Sequence, residues 1–394
     1  MTKKMMQGCR AIAEMATLCR PQVVSAYPIT PQTVIVEELA QIVADGRLKA
    51  EFVNVEGEHS AASLVLGASA TGVRVFTATS SQGLLLMAEV VFNIAGMRLP
   101  VVMVNANRSV SAPLNIWNDQ QDSMTVRDSG WLQLYAENNQ EATDLLLQAY
   151  RIAEDHRVML PVMVCVDGFI LPHAYEVVDM PSQEEVDAFL PPHKPIYKLD
   201  PGKPLTMGAY AEPDKYMETR YMIQHTLEAA IPIIEEVAQE FKRSFGRSSG
   251  GLFEEYRVDD ASTVVVVLGS VAGTVKDLVD ELRDQGQKIG VLRLIAYRPF
   301  PKEALCRALG KAEDVVVLEK ALCLGSSGPL ALDLRSAFHG RPASPKISGF
   351  TIGLGGRDIT GDDIKSAVDR AQLRLTDIDF VGLREDLELE GINA

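Results

Sequence analysis

The chain has 394 residues, 47% hydrophobic and 23% charged, an ordinary globular balance with enough length for two or three domains. A formal net charge of −15 argues against a nucleic-acid or anionic-membrane surface. No run approaches the roughly 18 apolar residues of a membrane span, and the opening "MTKKMMQGCRAIAEMATLCR" is too broken by polar residues for a secretory signal.

The first junction with chemical character is "SAYPITPQTVIVEELAQIVADG", Ser25 to Gly46. Pro28 keeps Tyr27 extended. Pro31 suits the first turn of a helix, which makes Thr30 the expected N-cap. Val34, Ile35, Leu39, Ile42 and Val43 recur near helical spacing, and Asp45-Gly46 supplies the stop. Thr30 is thus expected at the positive end of a helix, where anions are favoured, although a plain cap is the commoner use of such a residue. Next, "EFVNVEGEHSAASLVLGASATG" reads as a short strand leading into a helix of small residues. Glu58 falls at the junction beside Glu56. Two carboxylates there are expected to raise one pKa and suit proton transfer; a first-turn glutamate serving the helix dipole is the alternative.

"VRVFTAT" (73–79) and "LPVVMVNAN" (99–107) read as strands, with "SSQGLLLMAEVVFNIAGM" between them as loop and helix. Arg108 follows the second strand, where its fork suits a carboxylate or phosphate; a surface ion pair is the ordinary alternative. "SAPLNIWNDQQDSMTVRDSGW" then runs some twenty residues without a period and carries both tryptophans, Trp117 and Trp131, as a functional or interface loop would. A helix in "NNQEATDLLLQAYRIAEDHR" and a strand in "VMLPVMVCVDG" complete an α/β alternation that implies a parallel sheet covered on both faces. Ligands of such sheets sit at the carboxyl ends of the strands.

Residues 190–204 are proline-rich and read as a linker, followed by a long helix over 213–245 interrupted by Pro232. A second alternation begins at "STVVVVLGS". The expected division is 1–180, an α/β domain; 181–258, linker with the long helix; and 259–394, a smaller α/β domain. The five cysteines (Cys9, Cys19, Cys165, Cys306, Cys323) have no C-x-x-C spacing and give no disulfide, zinc or iron–sulfur pattern. Neither G-x-G-x-x-G nor G-x-x-x-x-G-K-[ST] is present, which disfavours a nicotinamide-dependent dehydrogenase.

Taken together, "AYPITP", "VEGEHSAAS", "TATSSQGLLLMAE", "NRSVSAPLNIWNDQQDSMTVRDSGWLQLYAE" and "FTIGLGGRDIT" resemble the alpha subunit of the 2-oxoacid:ferredoxin oxidoreductases, most closely that of multi-subunit pyruvate:ferredoxin oxidoreductase. The resemblance spans essentially the whole chain. It implies a thiamine-diphosphate-binding fold of the pyrimidine-binding type, followed by a transketolase C-terminal-like domain. It implies oxidative decarboxylation of a 2-oxoacid with coenzyme A, electrons passing through iron–sulfur clusters to ferredoxin, in a cytoplasmic hetero-oligomer with beta, gamma and delta subunits. Mg²⁺ and the [4Fe-4S] clusters are expected on those partners, which fits the absence of Gly-Asp-Gly and of cluster cysteines here. Under the resemblance Glu58 hydrogen-bonds the cofactor's aminopyrimidine, Tyr27 and Pro28 lie beside the cofactor, and Thr30 and Arg108 hold the substrate carboxylate. The oxalate-using branch looks as though it has arginine where this chain has Thr30, so a monoanionic substrate is expected. Pyruvate comes first and branched-chain 2-oxoacids such as 2-oxoisovalerate second. A non-catalytic scaffold subunit is the alternative of a different class.

Overall fold

A computed structural model describes residues 2–373 and 379–384; the end of the expected second domain, 385–394, lies outside the described residues. Two compact units emerge. The first comprises residues 1–254 with 268–270 and 293–301, and the second the remainder.

The first unit is built on a seven-stranded sheet. In spatial order its strands are Ala296–Arg298, Leu132–Tyr135, Val162–Asp167, Val102–Asn107, Val75–Thr79, Val23–Ala26 and Glu51–Asn54. Six run parallel, and Ala296–Arg298 pairs antiparallel at one edge. The three central strands are buried along their whole length. This is why they read as continuous apolar runs rather than alternating ones. Two strands were not legible as such. Leu132–Tyr135 is only four residues long. Ala296–Arg298 lies within "KIGVLRLIAYRPFP", where the sequence suggests one strand; the chain forms two there, Ile289–Leu294 and Ala296–Arg298.

A separate two-stranded ribbon joins Thr2–Gln7 to Tyr175–Met180 in antiparallel register, from Thr2 opposite Met180 to Gln7 opposite Tyr175. The long helix Pro213–Phe245 belongs to the first unit, with Pro213 in its first turn and Gly246 ending it in the left-handed conformation (φ 72°). Its buried stripe, Ile223, Ala230, Ile233, Val237, Phe241 and Phe245, keeps helical spacing through Pro232.

The six-stranded sheet has the order Asp379–Phe380, Lys346–Thr351, Asp314–Glu319, Thr263–Leu268, Ile289–Leu294, Phe253–Tyr256. In the second unit Val265, Val267, Val316, Leu318 and Phe350 pack against Val275, Val279, Ile364 and Val368 of the helices Val271–Asp284 and Gly361–Gln372. Burying these branched side chains between sheet and helices is the main stabilising term of the unit.

Candidate active site

The opening junction departs from the sequence reading. The Thr30–Pro31 peptide is cis, and the helix begins two residues later than expected, as Thr33–Ala44, with Gln32 at the N-cap position. Thr30 is therefore not the cap and Pro31 is not in the first turn. Gln32 is buried and donates its side-chain amide to the Tyr27 carbonyl (2.7 Å), closing the turn on itself. Inside that turn Thr30 and Pro28 are exposed and Tyr27 is half-buried. The stop at Asp45-Gly46 is as expected, with Gly46 at φ 71°.

Arg108 leaves the carboxyl end of Val102–Asn107 and is only 6% exposed. Its guanidinium is spread over three acceptors: Nη1 to the Thr30 carbonyl (2.9 Å), Nε to the Asn115 carbonyl (3.1 Å) and Nη2 to Gln82 Oε1 (3.3 Å). None of these is a carboxylate. Burial lowers the pKa of this arginine while the charge of Asp122 opposes the shift; guanidinium stays protonated regardless. The structure thus brings Thr30 and Arg108 together.

Glu58 opens the helix Glu58–Ala70 and is 7% exposed. Among the described residues nothing hydrogen-bonds its carboxylate. It lies against the turn after Val75–Thr79: a Cβ built on Gly83 would stand 2.7 Å from Glu58 Oε1 and 2.6 Å from Thr79 Oγ1. Only glycine leaves room for the carboxylate at that point. The expected coupling with Glu56 does not form as a buried pair. Glu56 is exposed, takes a bond from the Ser60 hydroxyl, and is held below the usual carboxylate range first by that bond.

Sequence reasoning missed the residue that organises this edge. Asp122 is wholly buried and accepts from five donors: Ser81 N (2.9 Å), Asn105 Nδ2 (3.0 Å), Asn107 Nδ2 (2.8 Å), Arg108 N (3.1 Å) and Ser123 N (2.7 Å). One carboxylate therefore fixes both the start of the helix Ser81–Leu86 and the backbone of Arg108. Burial pushes the Asp122 pKa up, and its bonds to Ser81, Asn105, Arg108 and Asn107 act against the rise. Ser81 itself has φ 49°, an uncommon conformation for a residue with a side chain, maintained here by the Asp122 bond. The run "TSSQG" and the polar cluster "NDQQDS" were the only available signals. Neither spacing shows that they meet.

The long loop divides in two. Trp131 is buried, with its indole N–H donating to the Val91 carbonyl (2.8 Å). Trp117 is 50% exposed and lies against Phe169, ring centroids 4.5 Å apart. Leu114, Ile116 and Ile170 are exposed as well, so the rim beside Arg108 is apolar. Among the described residues no group of His, Cys, Asp and Glu could hold a metal ion, and no helix is long and apolar enough to cross a membrane.

Solved structures share this fold over most of the chain. One is the structure titled "2-oxoglutarate:ferredoxin oxidoreductase from Magnetococcus marinus with 2-oxoglutarate, coenzyme A and succinyl-CoA bound", with TM-score 0.69 and 19% identity over 94% of this chain and 65% of that longer one. Another is "Split gene transketolase, inactive beta4 tetramer", with TM-score 0.55 and 13% identity over 93% of this chain and 96% of that one. The likeness to both is one of fold. Residues 14–239 match the family described as "Pyruvate flavodoxin/ferredoxin oxidoreductase, thiamine diP-bdg", and residues 261–364 match "Pyruvate:ferredoxin oxidoreductase core domain II". Pyruvate synthase subunit PorA of Methanothermobacter thermautotrophicus is 50% identical over 388 residues, covering 98% of this chain and 100% of that one. PorA of Pyrococcus furiosus is 46% identical over 392 residues (98% and 99%). Ketoisovalerate oxidoreductase subunit VorA of Pyrococcus horikoshii is 46% identical over 365 residues (92% and 92%). The chain belongs to the pyruvate:ferredoxin oxidoreductase family, whose thiamine-diphosphate-binding domain it carries.

Proposed function

We propose that this chain is the alpha subunit of a cytoplasmic pyruvate:ferredoxin oxidoreductase, which oxidatively decarboxylates pyruvate with coenzyme A to acetyl-CoA and CO₂ while ferredoxin is reduced. The observation that carries the reading is Glu58, a nearly buried carboxylate with no hydrogen-bond partner among the described residues, seated on the side-chain-free Gly83. A buried carboxylate of that kind fits the ring nitrogen of an aminopyrimidine.

When bound, thiamine diphosphate supplies a carbon nucleophile and an electron sink for decarboxylation. The contribution of this chain is to place and to protonate. Glu58 would hold a proton at the pyrimidine ring nitrogen of the bound cofactor, where a carboxylate supports the base chemistry that the cofactor supplies. Tyr27 and Pro28, in the turn closed by Gln32, flank the cofactor. Arg108 and Thr30 hold the carboxylate that departs as CO₂, which orients the bond to be broken. Beta, gamma and delta chains complete the complex and carry Mg²⁺ and the [4Fe-4S] clusters.

In the complex purified under anaerobic conditions, Glu58→Ala should abolish pyruvate-dependent ferredoxin reduction with cofactor chains and clusters intact. Near-normal turnover in that variant would remove Glu58 from the mechanism. A second substrate reading, branched-chain 2-oxoacids, is favoured by the 46% identity to the VorA chain. Coenzyme-A-dependent viologen reduction with pyruvate, 2-oxoisovalerate, 2-oxoglutarate and oxalate side by side decides between them.

A further inference from the structure

Gln82 stands between the two groups that the proposed function assigns to substrate and cofactor. Its neighbour Gly83 carries the contact with Glu58, and its own side chain meets Arg108. The hydrogen bonds around this amide do not close. Oε1 accepts from Arg108 Nη2 at 3.3 Å and from Ser81 Oγ at 2.6 Å. That hydroxyl has one proton for two acceptors, because the Ser109 carbonyl lies 2.5 Å from it as well. Meanwhile Gln82 Nε2 is sealed from solvent with no partner. Buried amide donors are rarely left unmade.

Reversing the amide repairs the network on one side. Nε2 would donate to Ser81 Oγ, and the Ser81 proton would go wholly to Ser109. What forbids the reversal in the free chain is Arg108, since a second amide N–H would then face Nη2, donor against donor. An anionic oxygen placed between the two removes that conflict and accepts from both. The Arg108–Gln82 bond is also the longest of the three that the guanidinium makes, at 3.3 Å against 2.9 and 3.1 Å, so it yields first.

We propose that Gln82 is a third substrate-positioning residue: when a small 2-oxoacid binds, its amide reverses and Nε2 donates to the carboxylate oxygen held by Arg108 Nη2. The inference rests on the reading that Arg108 binds the substrate carboxylate, and the test separates the two. Binding of oxamate, an unreactive isostere of pyruvate, is measured by calorimetry on the assembled complex. Gln82→Glu offers only acceptors and Gln82→Met keeps the length without a donor. Both should weaken oxamate about tenfold, the worth of one hydrogen bond to a charged group. The oxoacid KM should rise in step, and kcat/KM should fall at least as far, since the bond is made to the carboxylate whose placement orients the cleaved bond. Cofactor content and deuterium exchange at the thiazolium carbon should not change. Oxamate affinity within twofold of the parent in Gln82→Met, while Arg108→Lys is weakened, would overturn the role of Gln82 alone. Unchanged affinity in Arg108→Lys too would overturn the carboxylate reading and this inference with it. Should Gln82→Glu fail to assemble, the neutral Gln82→Met decides. A lower melting temperature with unaltered oxamate affinity would reduce Gln82 to a structural residue.

Discussion

At Gly83 the site depends on a missing atom. A methyl group there would stand 2.6 Å from Thr79 Oγ1 and 2.7 Å from Glu58 Oε1, well inside contact distance. Thr79 belongs to a buried strand and cannot retreat, so Glu58 must. Gly83→Ala should therefore cost about 1–3 kcal/mol of stability, as overpacking does, but about a hundredfold in turnover, because an ångström of displacement at a reacting group costs that much. Steady-state rates set beside a denaturant midpoint would show the disparity; equal and small effects on both would mean that Glu58 does not need its present seat. Glu58 and Arg108 drew notice in the sequence because each is a charged residue that follows a strand, whatever role it has. Gly83 was not, since one glycine among the 29 of the chain has no signature until its neighbours are known. Thr30 was legible for the wrong local reason. Its position beside Arg108 comes from a turn closed by Gln32, not from a helix cap.

The segment that follows Arg108, which includes the short helix Gln121–Thr125, shows how an aperiodic stretch can be held in place. Its order derives from Asp122, whose two oxygens take five N–H donors and no hydroxyl. Asp122→Asn would turn an amide N–H₂ toward some of those donors and leave them buried and unmade. A loss of about 2–3 kcal/mol follows, at roughly 1–3 kcal/mol for such a group, and urea denaturation at constant slope would measure it. A midpoint equal to that of the parent would mean that the loop holds itself. Helices were readable from their period, as Thr33–Ala44 illustrates, and central strands from their unbroken apolar runs, as Val162–Asp167 does. The short strand Leu132–Tyr135 and the Asp122 hub were not, because they exist only through partners distant in sequence: Leu132–Tyr135 through Val162–Asp167, and Ser81 through a residue 41 positions away.

Across the whole molecule the formal charge is −15, so protonation is expected to matter broadly, and one carboxyl in the second unit has an opposite bias to most. Glu319, 3% exposed, ends the strand Asp314–Glu319 and caps the helix Pro329–Phe338 by accepting from Leu330 N (2.8 Å) and Ala331 N (3.2 Å). Burial raises its pKa from 4.5 to about 8, against the pull of those two bonds. The folded state then holds a proton that the unfolded state has released over that interval. Stability from this group is complete below pH 4.5 and is lost as pH rises through about 8. Melting temperatures between pH 6 and 9 should accordingly fall more steeply for the parent than for Glu319→Gln; parallel profiles would show that Glu319 is ionised throughout. The chain also carries its own pair of optical reporters. Trp131 is buried with its N–H engaged by the Val91 carbonyl, whereas Trp117 lies half open on Phe169 at the rim beside Arg108. Iodide should quench the one and spare the other, so each sample contains an internal reference. Loss of the quenchable fraction on mixing with a partner chain would time the closing of that rim, while the spared fraction would report only unfolding.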